Sequence, residues 1–126
     1  MAILDKLLVF SEDQAVTATA YSTNTLDLGQ GGDAVGQELT LRVLVTEAFA
    51  TLTNLRIILE TRAAGTDDWE EVVLSTAIPA AKLTKGREIF CVRVPRGLKR
   101  HVVLTYNVGG SNATAGKVTA YLSKEL

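Results

Sequence analysis

The sequence predicts an all-β protein, an antiparallel jelly-roll or Greek-key β-sandwich of about eight strands. Three observations carry that expectation. From residue 38 onward one short apolar/polar alternation follows another, the clearest being Leu39-Thr40-Leu41-Arg42-Val43-Leu44-Val45 and Val102-Val103-Leu104-Thr105-Tyr106-Asn107-Val108. A period of two marks a strand with one buried face. The runs recur roughly every ten residues, with no amphipathic helix between them and with turn-forming residues closing each one.

Strands are expected near residues 4–10, 14–21, 38–46, 54–61, 70–75, 88–94, 101–108 and 116–122, with weaker ones near 24–28 and 78–83. Gly29-Gln30-Gly31-Gly32-Asp33 reads as a loop, and Ala64-Gly65-Thr66-Asp67-Asp68 as a turn before Trp69. Val94-Pro95-Arg96-Gly97 places Pro second and Gly fourth, as a type I turn does, and Gly109-Gly110-Ser111-Asn112 reads as the turn of the last hairpin. The uneven loop lengths suit a jelly roll better than a meander. Alternation then assigns Leu41, Val43, Leu55, Ile57, Leu59, Val92, Val102, Leu104, Tyr106, Val118 and Ala120 to the core. It leaves one aliphatic on each otherwise polar face, Leu44, Ile58 and Val103. On neighbouring strands these three would form a patch, so they are the candidate self-association residues, in a homo-oligomer for which a dimer is expected before a trimer.

A chain of 126 residues is expected to be one domain, 1–126, that buries roughly two thirds of its unfolded surface. Its 47% apolar and 21% charged content argues against disorder. Cys91 is the only cysteine, so no intrachain disulfide can form, which fits a reducing compartment. No apolar stretch reaches the roughly 18 residues that span a bilayer. Residues 1–10 are too short and too charged for a signal peptide, so a soluble protein made in the cytoplasm, with no membrane partner, is expected.

The formal net charge of −1 conceals a segregation. Residues 1–38 carry six acids and one base, and residues 60–71 five acids and one base. Residues 82–100 carry seven bases (Lys82, Lys85, Arg87, Arg93, Arg96, Lys99 and Arg100) against Glu88 alone, a balance of +6. Lys85, Arg87, Arg96, Lys99 and Arg100 fall in or beside loops, so they are the candidate contacts to an acidic partner; the competing reading is that they only keep the loops solvated.

No motif supplies chemistry. Gly29-Gln30-Gly31-Gly32-Asp33-Ala34 fits the dinucleotide-binding spacing, but Val35-Gly36-Gln37 leads into another strand instead of the helix that motif requires. His101 has no carboxylate, nucleophile or further ligand at a recognisable spacing, so it is read as a structural or surface residue. Cys91, within Ile89-Phe90-Cys91-Val92, is expected to be a buried, inert thiol. Asp67, Asp68, Glu70 and Glu71 lack the alternating spacing of a calcium loop, and Trp69 between them is expected to close one end of the core. No catalytic, metal or cofactor-binding residue is assigned, and an enzyme is not expected.

Order and spacing along nearly the whole chain carry a resemblance. Leu4-Asp5-Lys6 and Phe10-Ser11-Glu12-Asp13-Gln14-Ala15-Val16-Thr17-Ala18-Thr19-Ala20 lead through Ser22-Thr23-Asn24 to Leu26-Asp27-Leu28-Gly29, with Leu59-Glu60-Thr61 in the middle. Val94-Pro95-Arg96-Gly97-Leu98-Lys99-Arg100, Leu104-Thr105-Tyr106-Asn107-Val108-Gly109-Gly110 and Ala115-Gly116-Lys117-Val118-Thr119-Ala120 follow. The pattern, weakest over residues 62–88, resembles the jelly-roll capsid cement (decoration) proteins of tailed bacteriophages. The resemblance implies a non-enzymatic structural virion protein on the capsid exterior that clamps adjacent major capsid protein subunits, commonly as a small symmetric oligomer. The alternative is a virion-surface or tail-fibre module that binds glycans or receptors, for which aromatics grouped on one face are expected. A nucleic-acid partner is not expected, because the chain is slightly acidic and its bases are not interleaved with aromatics.

Overall fold

The apolar faces read from the sequence close against each other as two antiparallel sheets. The computed structural model describes residues 9–27, 39–63, 65, 68–94 and 99–124. Among the described residues ten strands follow in order: β1 (Val9–Ala15), β2 (Ala20–Tyr21), β3 (Leu26–Asp27), β4 (Leu39–Ala50), β5 (Asn54–Arg62), β6 (Glu70–Leu74), β7 (Ile78–Pro79), β8 (Glu88–Arg93), β9 (His101–Gly109) and β10 (Ala115–Lys124). The first sheet has the order β1-β10-β4-β8 and the second β2-β9-β5-β6, with β3 also on β9 and β7 also on β5. The short pairs β2/β3 and β6/β7 each occupy one position, so the sheets read 1-8-3-6 and 2-7-4-5, the connectivity of a jelly roll.

Two buried serines explain why the short pairs still act as single positions. Where β2 breaks from β3, Ser22 Oγ accepts the Leu104 N–H at 3.1 Å, and the Ser22 N–H donates to the Leu104 carbonyl at 2.7 Å. Where β6 breaks from β7, Ser75 Oγ accepts the Ile57 N–H at 2.8 Å, and the Ser75 N–H donates to the Ile57 carbonyl at 2.9 Å. Each hydroxyl takes a ladder donor that would otherwise be orphaned inside the sheet.

The predicted core residues of β4, β5, β9 and β10 are all buried, and Val92 is half-buried against them. Complete burial of each large aliphatic contributes roughly 1.5–3 kcal/mol. Tyr106 is the largest fully buried side chain. Its hydroxyl, on the second sheet, lies 2.7 Å from Ser11 Oγ on β1 of the first. Burial pushes the Tyr106 phenol well above its ordinary value, and the Ser11 hydrogen bond opposes that rise only in part.

The N-terminal strands differ from expectation. Strands predicted at 4–10 and 14–21 are instead β1 at Val9–Ala15 and β2 at Ala20–Tyr21, and residues 4–8 lie outside the described residues. The polar run Ser11-Glu12-Asp13, left between the two expected strands, belongs to β1, where two register shifts against β10 and a left-handed Asp13 (φ 49°) accommodate it. Gly109-Gly110-Ser111-Asn112 is also not a hairpin turn, because β9 and β10 belong to different sheets and the segment crosses between them. The proposed turns at residues 29–33 and around Pro95 lie outside the described residues, at 28–38 and 95–98.

Two predictions follow from this packing. Gly116 has φ 142°, and a Cβ there would lie 2.4 Å from the Phe49 ring. Gly116→Ala should therefore cost about 2–4 kcal/mol in urea unfolding, from strain and overpacking together. For Tyr106, the unfolded phenol ionises near its ordinary pKa of about 10, whereas the folded one holds its proton to higher pH. Stability should therefore fall above pH 10, by up to about 1.4 kcal/mol per pH unit. Tyr106→Phe should be less stable at neutral pH by about 1 kcal/mol but lose less on going to pH 11; equal alkaline slopes would show that the phenol is not the titrating group.

Candidate functional site

The basic segment predicted as one surface is split by the topology. Residues 83–94 run antiparallel along β4: the Phe49 N–H donates to the Leu83 carbonyl, Gly86 and Arg87 bond with Val45, and the Val94 N–H donates to the Leu39 carbonyl. Lys85 and Arg87 thus flank Gly86 (φ 84°) in the turn before β8, whereas Lys99 and Arg100 precede β9, on the far side of β8. At about 3.3 Å per strand residue, some 20 Å separates the two groups along the sandwich.

Their partners differ as well. Lys99 Nζ lies 2.8 Å from Glu70, and Arg100 grips Asp27 through two bonds of 2.9 and 3.0 Å. The hydrogen bond and charge of Asp27 raise the Arg100 guanidinium further above its already high ordinary value. Lys85 and Arg87 are exposed, and neither side chain has an ion-pair partner among the described residues. Arg96 lies outside the described residues.

The three outer aliphatics do not form one patch. Leu44 is half-buried on the outer face of the first sheet, paired in register with Thr119 and Glu88. Ile58 and Val103 are on the outer face of the second sheet, diagonal to each other through the pairs Ile58↔Thr105 and Glu60↔Val103. Val103 is only 1% exposed within its own chain, so no surface is left on it for a second subunit to cover.

The second sheet instead presents an apolar row that alternation within single strands did not reveal. Tyr21 on β2 pairs with Thr105, Thr105 with Ile58, and Ile58 with Leu74 on β6. Tyr21 is 55% and Leu74 50% exposed, and the row spans three inter-strand gaps, about 14 Å. Leu74 was hidden from the sequence because a register shift against Leu59/Glu60 changes the phase of β6. Tyr21 was hidden because it sits in a strand of two residues.

Two other expectations are corrected. Cys91 is exposed and not buried: it pairs with outward Arg42, whereas Phe90 and Val92 pair with inward Val43 and Leu41. Trp69 is half-buried and does not seal the core, and the Arg62 guanidinium stacks over its ring at 4.6 Å. His101 is half-buried on the outer face, opposite Arg62 and Asp27. Among the described residues, no group of three or more His, Cys, Asp or Glu could hold a metal ion.

The sequence matches the Bbp16 family over residues 10–122. The chain belongs to the Bbp16 family. That match takes in every described strand from β2 to β9 and most of β1 and β10, so the jelly roll is the framework of this Bbp16 member as a whole. No curated protein matches the sequence.

The phase of β8 can be checked directly. In the native protein an aromatic disulfide reagent should titrate the single thiol within minutes, because an exposed thiol reacts readily. A thiol that reacts only in denaturant would place Cys91 inward and reverse the strand.

Proposed function

We propose that this chain is a structural virion protein, a capsid cement (decoration) protein on the outside of a tailed-phage head, made in the host cytoplasm and clamping adjacent major capsid protein subunits. One observation carries the reading: the polar side chains that converge here serve the fold, and the outward groups without partners are those of a contact surface. Ser11, Gln14 and Tyr106 join the two sheets, and Asp27 and Glu70 hold Arg100 and Lys99. Lys85, Arg87, Tyr21 and Leu74 point outward. The resemblance along nearly the whole chain supports the same reading. The glycan-binding alternative draws less support, because Arg62 already covers a face of the Trp69 ring.

A cement protein stabilises a shell by linkage. Each copy that binds the assembled lattice and not its dissociated subunits shifts the equilibrium toward the lattice, and many copies that each bridge two subunits act through avidity. Lys85 and Arg87 supply the charge for docking on acidic capsid patches, an interaction that sets on-rate and register and weakens with salt.

Cosedimentation with purified heads lacking the protein tests this. The parent should pellet with heads, more at low salt than at high, and Lys85→Glu/Arg87→Glu should lower low-salt occupancy by about tenfold while the fold is kept. Parent protein that stays in the supernatant at every salt concentration would end the cement reading. Parent binding with an unchanged double variant would move the contact elsewhere on the sandwich.

A further inference from the structure

We propose that the chain meets the capsid end-on, through the end of the sandwich where β4 turns into β5 and β9 crosses to β10, with Lys82, Lys85 and Arg87 seated on an acidic strip of the shell. The proposal rests on the cement reading and adds to it the docking surface and its direction.

The first argument is where the charges fall. Four connections meet at this end: 16–19 between β1 and β2, 51–53 between β4 and β5, 80–87 between β7 and β8, and 110–114 between β9 and β10. As far as Thr84 their one charged residue is Lys82, in a chain that is 21% charged. Lys82 is exposed, with no ion-pair partner among the described residues. Lys85 and Arg87 continue from it along the flank of β4, because Leu83 bonds to Phe49 and Gly86 to Val45. At about 3.3 Å per residue that flank is some 13 Å long. Neither neighbouring acid neutralises the strip: Glu88 is taken by Arg42, and Glu47 accepts the Gly116 N–H.

The opposite end is built differently. There Lys99 is held by Glu70 and Arg100 by Asp27. Covering that end would desolvate two ion pairs, whereas covering this one removes no matched pair from water and gives three bases a counter-charge. A positive strip beside an uncharged end fits a protein surface that carries carboxylates, here the outer surface of the major capsid protein.

The second argument is rigidity. Connecting loops are usually the mobile parts of a fold, but here each is bonded to another. The Ala113 N–H donates to the Thr17 carbonyl at 2.8 Å, and the Thr114 N–H to that of Ala50 at 3.0 Å. The Thr53 N–H donates to the Gly109 carbonyl at 2.9 Å, and the Ala80 N–H to that of Thr53 at 3.2 Å. Thr51 holds a left-handed φ of 83°, which a β-branched residue rarely adopts, and its hydroxyl lies 2.6 Å from that of Thr114. Such strain persists only where the surroundings fix it. A surface already fixed in shape loses little entropy when a partner covers it.

Cosedimentation with heads lacking the protein separates this placement from the cement reading itself. Lys82→Glu and Ser111→Glu, both at exposed positions, should keep the parent's melting midpoint and lower low-salt occupancy about tenfold. Lys82→Gln should fall between the parent and Lys82→Glu, with a weaker salt dependence than the parent. Thr25→Glu adds the same charge at an exposed position beside β3, at the opposite end, and should bind as the parent does. A parent that stays in the supernatant would remove the cement reading and this proposal with it. A parent that pellets while Lys82→Glu and Ser111→Glu pellet equally well would overturn the end-on placement alone. So would a Thr25→Glu variant that loses as much occupancy as Ser111→Glu, because position would then not matter.

Discussion

A single buried phenol fixes how the two sheets meet. Tyr106 on β9 is fully buried, so its hydroxyl is withdrawn from bulk solvent and needs a hydrogen-bond partner. Ser11 on β1 provides it. For Ser11 to face inward, β1 must shift register against β10 on either side of it, and those shifts place Gln14 at the open edge. Gln14 then bonds Ser11, accepts the Thr23 N–H and donates to the Tyr21 carbonyl, while the Asn24 N–H donates to the Phe10 carbonyl. The edge where β1 of one sheet faces β2 and β3 of the other is closed by these bonds. The position of Tyr21, and with it one end of the apolar row, follows from the same chain of contacts.

The long strands were legible because one physical rule governs them. In Leu39 to Val45, Leu55 to Leu59 and Val102 to Tyr106 every second residue is apolar and the inward set read from that period is buried throughout, although Thr40 and Val103 of the outer set are buried as well. Legibility ends where the period breaks. Ser11 to Asp13, left between the two expected strands, sit in a bulged strand, because a tertiary partner, Tyr106, outweighs local preference. Ile89-Phe90-Cys91-Val92 is apolar throughout, so alternation cannot set its phase, and only the pairing with β4 shows that Cys91 faces outward. Trp69 lies just before β6, where nothing local says whether a ring turns to the core or to an arginine.

Surface sites are less legible than the core for a related reason. The +6 balance of residues 82–100 is a property of chain order, whereas a binding surface is a property of space. A jelly roll sends consecutive strands to different sheets and ends, so the segment delivers Lys85 and Arg87 to one place and Lys99 and Arg100 to another. Two nearby acids from distant parts of the chain, Glu70 and Asp27, then occupy the second group. The converse holds for the apolar row, whose members come from residues 21, 58, 74 and 105. Its composition is unremarkable in any one segment and becomes a row only through sheet order.

The two outer faces consequently differ in what they offer a partner. On the first sheet, Arg42 on β4 pairs with Glu88 on β8 at 3.2 Å, and Leu44 stands beside them between Thr119 and Glu88. Charges there are matched within the chain, so covering that face would require desolvating an ion pair for little apolar gain. On the second sheet the row Tyr21–Thr105–Ile58–Leu74 crosses four strands, and Arg100 and Lys99 are matched by Asp27 and Glu70, whereas Arg56 and Glu71 have no ion-pair partner among the described residues. The middle of the row, Ile58 and Thr105, is held by the long strands β5 and β9, so little conformational entropy remains there to be lost on contact, whereas its ends sit on the two-residue β2 and at the close of β6, where ordering costs more.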